Sequence, residues 1–332
     1  MNKNIVLIAD RVSDFTEVTL NNRDLECIPP SYFKEVYDSL INLGNDVIHY
    51  NSPKEFCKNI SVHKNDIVLS IWSGVGSKYR KSLIPSICEA NNICYVGADP
   101  YVHFLSQDKF LTKRISSQFG LTGAKDVLYY SEKDNTNIYN LSLPIVVKPN
   151  YEGGSNGISN ENLVYDYNEA LKLANKLKDI FCQPIIIEEY IEGNEICVNM
   201  IGSSKKINML EASKLVINDN DYFKDELYSY EPKVRDVQNR SLESATNLLS
   251  DELIIKFTNI FKYLGKVELL RIDGRLDYNG NFKLIELTPD AYLGKRGSTT
   301  FCACNSGIEY ERMLEILLEN AYLDYKERKQ LF

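Results

Sequence analysis

Four short apolar runs, rich in Val and Ile, divide roughly the first hundred residues of the chain. Segments with helical spacing lie between them, at residues 31–44 and 79–92. Regular alternation of strands and helices is typical of a parallel sheet with helices on its faces. We therefore expect an open parallel-sheet α/β domain over residues 1–103. Its strands are predicted in the runs 4–10, 46–50, 66–72 and 93–99.

The later two-thirds of the chain has a different pattern, which predicts an α+β arrangement. A polar stretch at residues 218–244 has no clear period, and a loop of that length inside a compact domain is usually functional or mobile. We expect a central domain over residues 104–187 and a C-terminal domain over residues 188–332. Helices are predicted at 106–120, 168–180, 243–264 and 307–327. Strands are predicted within 144–159, at 184–191, within 195–217 and within 271–287.

The composition is that of an ordinary globular protein, with 44% hydrophobic and 25% charged residues. A formal charge of −8 without long runs of like charge argues against a nucleic-acid partner. No apolar stretch approaches the roughly 18 residues that cross a membrane. The first ten residues read as a strand and not as a signal peptide, so we expect the eight cysteines to be reduced thiols of a cytoplasmic protein.

Residues 271–287 read as two strands joined by a tight turn. Asn279-Gly280 is a strong signal for a two-residue type I′ turn, because both central residues of that turn need positive φ. Such a turn places Asp273 directly opposite Glu286. Arg271, Arg275 and Thr288 share the face of this pair. The other face is apolar and is predicted to pack on a core, with Ile272, Leu276, Ile285 and Leu287.

Like charges directly opposite each other destabilise a sheet, so the Asp273–Glu286 pair needs an explanation. One explanation is a solvated face on which Arg271 and Arg275 screen the two acids. Another is a divalent cation that bridges the carboxylates, because Mg²⁺ binds carboxylate oxygens, keeps some water and usually shares its coordination with phosphates. The second explanation predicts a phosphate-bearing ligand nearby.

The segment "VVKPNYEGGSNGIS" (146–159) is a candidate for binding such a ligand. Lys148 stands at the end of an apolar strand, and the glycines that follow allow backbone N–H groups to approach a phosphate closely. An ordinary glycine-rich hairpin turn explains the same residues. In "IIIEEYIEGNEI" (185–196), Glu188 and Glu195 flank a strand end, where they could accept hydrogen bonds from ribose hydroxyls or lie on a charged surface turn.

Together these three segments, in this order and spacing, resemble the ATP-grasp enzymes and, within them, the D-alanine–D-alanine ligases. The resemblance extends from about residue 104 to the end of the chain and is weak before that. It implies an ATP-grasp fold behind the parallel-sheet domain, small-molecule carboxylate and amine substrates, ATP, and two Mg²⁺ ions for which Mn²⁺ can substitute. The implied reaction activates the carboxylate as an acyl phosphate and forms an amide, with release of ADP and phosphate.

The resemblance also implies roles for single residues. Lys109 and Lys148 match lysines that bind the ATP phosphates, and Lys233 matches a third, carried on a lid formed by residues 218–244. Arg271 matches an arginine that stabilises the tetrahedral intermediate, and Ser155 is placed with Arg271 and Lys233 in the catalytic set. The loop over the phosphates comprises Glu152, Gly153, Gly154, Ser155 and Gly157. The adenine and ribose contacts are Glu188, Glu189, Tyr190, Ile191 and Glu195. The metal ligands are Asp273, Glu286 and Thr288, the last of which stands where the family usually has Asn.

The substrate side departs from the family pattern. Phe15 stands at the position of a substrate-binding Glu when Glu17 is aligned with the E-V-S element, and Lys78 stands where acids are expected. Asp290 and Arg296 are further departures after the metal-binding strand. Arg271 and Ser298 still suit an acceptor that carries a carboxylate.

We interpret these departures as a changed substrate: a ligase of the same chemistry that joins something other than two D-alanines. The added basic residues suggest a substrate with an extra negative charge. The alternatives are a D-alanine–D-alanine ligase of peptidoglycan synthesis and a degenerate ATP-binding module with a regulatory role. The resemblance also allows a homodimer through the first domain, although that domain matches the family least.

Overall fold

The computed structural model describes residues 4–10, 30–74, 78–131, 137–225, 227 and 239–330. Its first sheet is parallel, as the sequence predicts, and has the strand order β2-β1-β3-β4. Its strands are β1 (Asn4–Ile8), β2 (Asp46–Tyr50), β3 (Ile67–Ser70) and β4 (Cys94–Tyr95). Its helices are α1 (Pro30–Asn42), α2 (Pro53–Asn59) and α3 (Leu83–Asn91), of which α2 was not predicted.

The second sheet is antiparallel, with strand order β5-β8-β6-β7. Two helices precede it, where the sequence predicts one helix over 106–120. That prediction is wrong because Asp108 ends the first helix and caps the second, its carboxylate accepting from the Leu111 N–H. The elements are α4 (Pro100–Gln107), α5 (Lys109–Ser117), β5 (Asp126–Tyr129), β6 (Ile145–Pro149), β7 (Leu163–Val164), α6 (Tyr167–Phe181) and β8 (Ile185–Glu189).

The third sheet is antiparallel, with strand order β12-β10-β9-β13-β14, and β11 pairs with β9. Its strands are β9 (Gly193–Gly202), β10 (Ile207–Ile217), β11 (Tyr222–Phe223), β12 (Arg240–Ser244), β13 (Leu269–Leu276) and β14 (Phe282–Thr288). Its helices are α7 (Asp251–Leu264), α8 (Ser298–Asn305) and α9 (Tyr310–Gln330). The helix predicted from residue 243 begins only at Asp251, because Ser250 caps it and residues 240–244 pair with β10.

The β13–β14 hairpin pairs Asp273 with Glu286 as predicted, but its turn differs from the prediction. The Asp277 N–H donates to the Asn281 carbonyl at 3.1 Å, which leaves a three-residue loop, and only Gly280 in this loop has positive φ. A bulge next to Asp273 shifts the register by one residue and so restores the predicted carboxylate pair. Because of this bulge, Leu284 is fully buried and Ile285, predicted for the core, is only half-buried.

The first sheet packs against the C-terminal part of the chain. Ile5 and Leu7 of β1 share one core with Leu314 and Leu317 of α9, and Leu269 of β13 belongs to it. This packing brings the ends of β3 and β14 to the two sides of one cavity. The three sheets follow the three predicted domains, whose boundaries stay predictions. Among the described residues, no helix is long and apolar enough to cross a membrane.

Candidate active site

A cavity of about 320 Å³ lies between the first sheet, the glycine-rich loop and the β13–β14 hairpin. Residues after β3 form one wall, and the end of β14 with the residues that follow it forms another. Eight predicted site residues line the cavity: Lys109, Glu152, Gly153, Gly154, Arg271, Glu286, Thr288 and Asp290. The structure therefore brings the phosphate loop and the metal-binding strand of the prediction into one place.

Each carboxylate of the facing pair has a basic partner. Arg271 binds Asp273 through two hydrogen bonds, from Nε at 2.7 Å and from Nη2 at 2.8 Å. The Lys109 ammonium lies 3.0 Å from Glu286 Oε2. Burial alone would raise the pKa of Glu286, but Lys109 and Arg271 lower it, so this carboxylate stays ionised. These ion pairs offset the repulsion between the two acids. Arg275, by contrast, does not screen the pair.

The oxygen donors at the pair suit a hard divalent cation. Two carboxylates face each other, and the Thr288 hydroxyl lies 3.1 Å from Asp273 Oδ2, to which it donates a hydrogen bond. Among the described residues, no three or more His, Cys, Asp or Glu side chains lie together in a way that could hold a metal ion by themselves. A cation held here would thus take its other ligands from water and phosphate oxygens, which is the usual manner of Mg²⁺.

Glu152 fixes the first residue of the glycine-rich loop in place. Its buried carboxylate accepts hydrogen bonds from Arg80 at 3.1 Å, Asn156 at 3.2 Å and Gln183 at 2.8 Å. Its carbonyl oxygen accepts from the Lys109 ammonium. Ser155 and both Gly154 and Gly157 have positive φ, which turns the loop back on itself. The loop is therefore held at one end by an ion pair and hydrogen bonds and shaped by left-handed residues at the other.

Lys148 lies in a buried charge cluster behind the loop. Glu188 on β8 accepts from both Lys148 and Lys113, and Asp126 Oδ2 lies 3.3 Å from Lys113. Burial would raise the pKa of Glu188, but the two lysines lower it to about 2. Burial lowers the pKa of Lys148. Lys113 was missed, although its place four residues after Lys109 on α5 puts the two lysines on one helix face.

Arg275 holds the segment between β8 and β9. It lies opposite Glu195 across the sheet, and its Nε donates to Glu195 Oε2 at 2.9 Å. Its Nη1 donates to the Ile191 carbonyl at 2.7 Å, and its guanidinium lies 4.9 Å from the Tyr190 ring centre. Glu189 points elsewhere and accepts from the Ser142 N–H. Arg275 thus positions the residues predicted to contact adenine and ribose, a role that the sequence did not reveal.

The predicted substrate residues are not all in one place. Phe15, Glu17 and Lys233 lie outside the described residues. Lys78 lines a second cavity of about 580 Å³ on the far side of the loop, with its ammonium 5.1 Å from the Tyr151 ring centre. Arg296 lines neither cavity, and the Ser298 hydroxyl lies 3.4 Å from Asn199 Oδ1.

Three further residues on the substrate side were missed. Lys81 Nζ lies 2.5 Å from Asp290 Oδ2, and both line the first cavity together with the buried His103. Asp10 accepts from the N–H groups of Ser73 and Gly74, both at 2.9 Å, and so fixes the residues after β3. Burial raises the pKa of Asp10. No short spacing in the sequence connects these partners, so no local pattern could reveal them.

Comparison with known proteins identifies a matching family model, a similar relative and two similar solved structures. A family model described as "D-ala D-ala ligase C-terminus" matches residues 118–319. The chain is 27% identical over 296 residues to a D-alanine–D-alanine ligase of Haemophilus influenzae (strain PittEE), covering 86% of this chain and 93% of the relative.

Two solved structures share the fold. A D-alanine–D-alanine ligase from Bacillus anthracis complexed with ATP has a TM-score of 0.71 at 19% identity, covering 99% of both chains. The VanG D-Ala:D-Ser ligase from Enterococcus faecalis has a TM-score of 0.68 at 18% identity, covering 97% of this chain and 100% of the other. The predicted fold class, an ATP-grasp fold preceded by an open parallel-sheet domain, is confirmed.

Proposed function

Because the chain belongs to the D-alanine–D-alanine ligase family of ATP-grasp ligases, we propose that it joins a carboxylate to an amine through an acyl-phosphate intermediate. Enzymes of this class form a C–N bond and release ADP and phosphate. We further propose that the two substrates are amino acids or their derivatives and differ from two D-alanines. Cytoplasmic location and a homodimer stay predictions.

One observation carries the proposal: Asp273 and Glu286 face each other beside the glycine-rich loop, and each is paired with a basic side chain. Glu286 lines the same cavity as that loop, and Asp273 adjoins it. A cavity lined by Glu286 for a metal, Lys109 for a phosphate and the half-buried Arg271 suits phosphoryl transfer to a carboxylate. A regulatory module that only binds ATP has no need of Arg271 at this place.

The residues suggest a separate role in the reaction for each charged group. A free carboxylate resists attack by an amine because its oxygen is a poor leaving group, and phosphorylation removes that obstacle. In this proposal the Lys109 and Lys148 ammonium groups, which pair here with Glu286 and Glu188, offset charge on the transferring phosphoryl group. Arg271 in turn stabilises the oxyanion that forms when the amine attacks. When bound at Asp273, Glu286 and Thr288, Mg²⁺ ions would supply Lewis-acid stabilisation of the phosphate oxygens; their number stays a prediction.

The Lys81–Asp290 pair supports substrates other than two D-alanines. It places two charged side chains in the cavity, and the methyl side chain of D-alanine has neither a charge nor a hydrogen-bonding atom with which to pair with them. The second candidate is plain D-alanine–D-alanine ligation, which is favoured because the Haemophilus influenzae relative is a D-alanine–D-alanine ligase and because that match extends over most of both chains.

A single assay separates these candidates. Release of ADP and phosphate is measured across pairs of amino acids of both configurations, with the amide product identified by mass spectrometry. We expect product only with ATP and Mg²⁺ or Mn²⁺, and the fastest turnover with a pair other than two D-alanines. Fast turnover with D-alanine alone would favour the second candidate. No ADP formation with any pair would contradict ligase activity and favour the regulatory module.

A further inference from the structure

Three polar side chains meet in the cavity on the side of the first domain. Lys81 belongs to the helical turn that precedes α3, His103 lies on α4, and Asp290 follows β14. Lys81 Nζ lies 2.5 Å from Asp290 Oδ2, and all three residues line the cavity that contains Lys109 and Arg271. We call these three residues the polar triad. They come from distant parts of the chain, so only the fold brings them together.

The polar triad carries no net charge. Lys81 and Asp290 form an ion pair, with Nζ 2.5 Å from Oδ2, so their opposite charges offset one another. Burial lowers the pKa of His103 to about 4, so its imidazole is neutral at neutral pH. Any added charge would therefore be repelled by one member of the ion pair and would find no unmatched opposite charge in the triad.

His103 has hydrogen-bonding capacity that the described residues do not use. Its side chain is buried, at 8% exposure, and its Nδ1 atom has no hydrogen-bond partner among the described residues. Buried polar atoms without a partner are uncommon, because each loses its bond to water and receives nothing in return. A ligand group that reaches this nitrogen would restore the missing hydrogen bond.

The helix α4 connects the triad to the other end of the cavity, where Lys109, Glu286 and the glycine-rich loop lie. We call this the phosphate end, and the end with the triad the substrate end. His103, Ser106 and Gln107 line the cavity at the spacing of one helix face. Gln107 lies about 6 Å along the helix from His103, and its amide donates to the Tyr151 carbonyl in the glycine-rich loop at 2.7 Å. Lys109 follows as the first residue of α5. The triad is thus in the same cavity as the reacting groups, at its other end.

We propose that the polar triad is a specificity site that hydrogen-bonds a neutral polar side chain, a hydroxyl or a carboxamide, on one of the two amino-acid substrates. The inference rests on the proposed ligase function and names the substrate class of that site. Hydroxyl and amide groups can both donate and accept, so either can pair with the imidazole and with Asp290 or Lys81. A methyl group would leave Nδ1 without a partner.

The structure favours this class over the negatively charged substrate suggested by the basic residues of the sequence. Each basic side chain that lines the described cavity lies beside a carboxylate: Lys81 beside Asp290, Lys109 beside Glu286 and Arg271 beside Asp273. Lys78 and Arg296, the basic residues that suggested such a substrate, do not line this cavity, and Arg80 pairs with Glu152. The cations that line the cavity are therefore already matched.

The test compares kcat/KM for alanine, serine, asparagine, aspartate and lysine, offered in both configurations and in each substrate position. In the unmodified enzyme we expect serine or asparagine to exceed alanine by at least about 10-fold, since a site built for a hydrogen bond discriminates against a substrate that lacks it. Aspartate and lysine should be the poorest. The serine and asparagine arms distinguish a hydroxyl from a carboxamide.

Two variants connect the preference to the triad. The quantity compared is kcat/KM for serine or asparagine divided by kcat/KM for alanine. His103→Phe retains a ring but no hydrogen-bonding atom, so this ratio should fall by about 10-fold or more. His103→Asn keeps a polar atom near the position of Nδ1 and should retain much of the ratio. If the phenylalanine variant does not fold, Asp290→Asn supplies a second comparison: it leaves Lys81 without its anionic partner, so kcat/KM for aspartate should rise relative to serine and asparagine. The matched control is His49→Phe, on β2 outside the cavity lining, which should leave the ratio unchanged.

A best substrate with an apolar or charged side chain, or a ratio that His103→Phe leaves unchanged, would overturn this inference and leave the ligase function standing. No ADP formation with any pair would overturn the ligase function and this inference with it.

Discussion

The two ends of the cavity hold their charges in different ways. At the phosphate end, Asp273 is closely paired with Arg271, and in the buried cluster behind the glycine-rich loop Glu188 is paired with Lys113 and Lys148. At the substrate end, one ion pair stands beside a neutral, buried imidazole. A charged ligand at the phosphate end can exchange partners with existing ion pairs, whereas the substrate end offers hydrogen bonds to an uncharged group.

The phosphate end also agrees with the family pattern, and the substrate end departs from it. The reaction needs the same charges whatever amino acid is joined, because the phosphoryl group and the oxyanion do not change. The side chain of the substrate, by contrast, can vary once the residues around it vary. We therefore expect substitutions at the two ends to affect different quantities.

The largest effect is expected for Glu286→Gln. The substitution removes a carboxylate of the facing pair and leaves the buried Lys109 without its acidic partner at 3.0 Å. Turnover should fall by at least about 100-fold for every substrate pair, as for other losses in a metal site. Steady-state ADP release measures it. Glu252→Gln, on the exposed surface of α7, is the control and should change turnover little. Undiminished activity in the Glu286 variant would refute the metal assignment.

Some of this site could be predicted from the sequence, because its residues are close together in the chain or aligned by strand pairing. Asp273 and Glu286 were paired correctly, although through a three-residue loop and a bulge in place of the predicted two-residue turn. Asn-Gly suits both kinds of turn, and only the three-dimensional fold decides which residues adopt positive φ.

Other parts could not be predicted, because their partners are distant in sequence. Lys81 and Asp290 are 209 residues apart, and Lys113 and Glu188 are 75 apart. A lysine or a histidine in a helix carries no local sign of the carboxylate or the cavity that it will meet. Such contacts follow from how the first sheet packs on α9 and from how α5 lies against the second sheet.

The second prediction distinguishes the two ends by pH. Burial lowers the pKa of His103 from 6.5 to about 4, so between these values the unfolded chain binds a proton that the folded protein resists. The free energy of unfolding should therefore fall as the pH falls through this window, by at most about 3 kcal/mol. His103→Asn should remove this loss, which urea unfolding at several pH values measures. His49→Asn is the control.

The phosphate end should respond at lower pH. The lysines lower the pKa of Glu188 from 4.5 to about 2, so its stabilising contribution is complete above pH 4.5 and is lost as the pH falls towards 2. His103→Asn should leave that lower part of the curve unchanged. If His103→Asn reduces the pH dependence of the free energy of unfolding equally in both pH ranges, the two ends do not titrate separately and the prediction is wrong.

A smaller effect is expected for Lys113→Met. Glu188 would then be left with Lys148 as its basic partner within the cluster, and Lys148 would be held more firmly away from a phosphate. The KM for ATP should rise by about 10-fold with little change in the preference among amino acids. Arg114→Met is a matched control, because Arg114 is a more exposed neighbour that pairs with Asp126. Equal effects of the two variants would show that Lys113 does not position Lys148.

The smallest effect concerns the backbone of the glycine-rich loop. Gly157 and Gly280 have nearly the same φ, at +75° and +79°, so Ala in either place strains the backbone by about 1 kcal/mol. A Cβ on Gly157 would also lie 2.8 Å from the Phe181 ring and 2.9 Å from Pro149, whereas a Cβ on Gly280 would meet nothing within 4 Å. Gly157→Ala should therefore lower the free energy of unfolding by about 1 kcal/mol more than Gly280→Ala. Urea denaturation of the two variants measures the difference. Equal losses would mean that the Phe181 ring shifts to accommodate the Cβ, and that the loop is fixed by the ion pair and hydrogen bonds of Glu152 and not by packing behind Gly157.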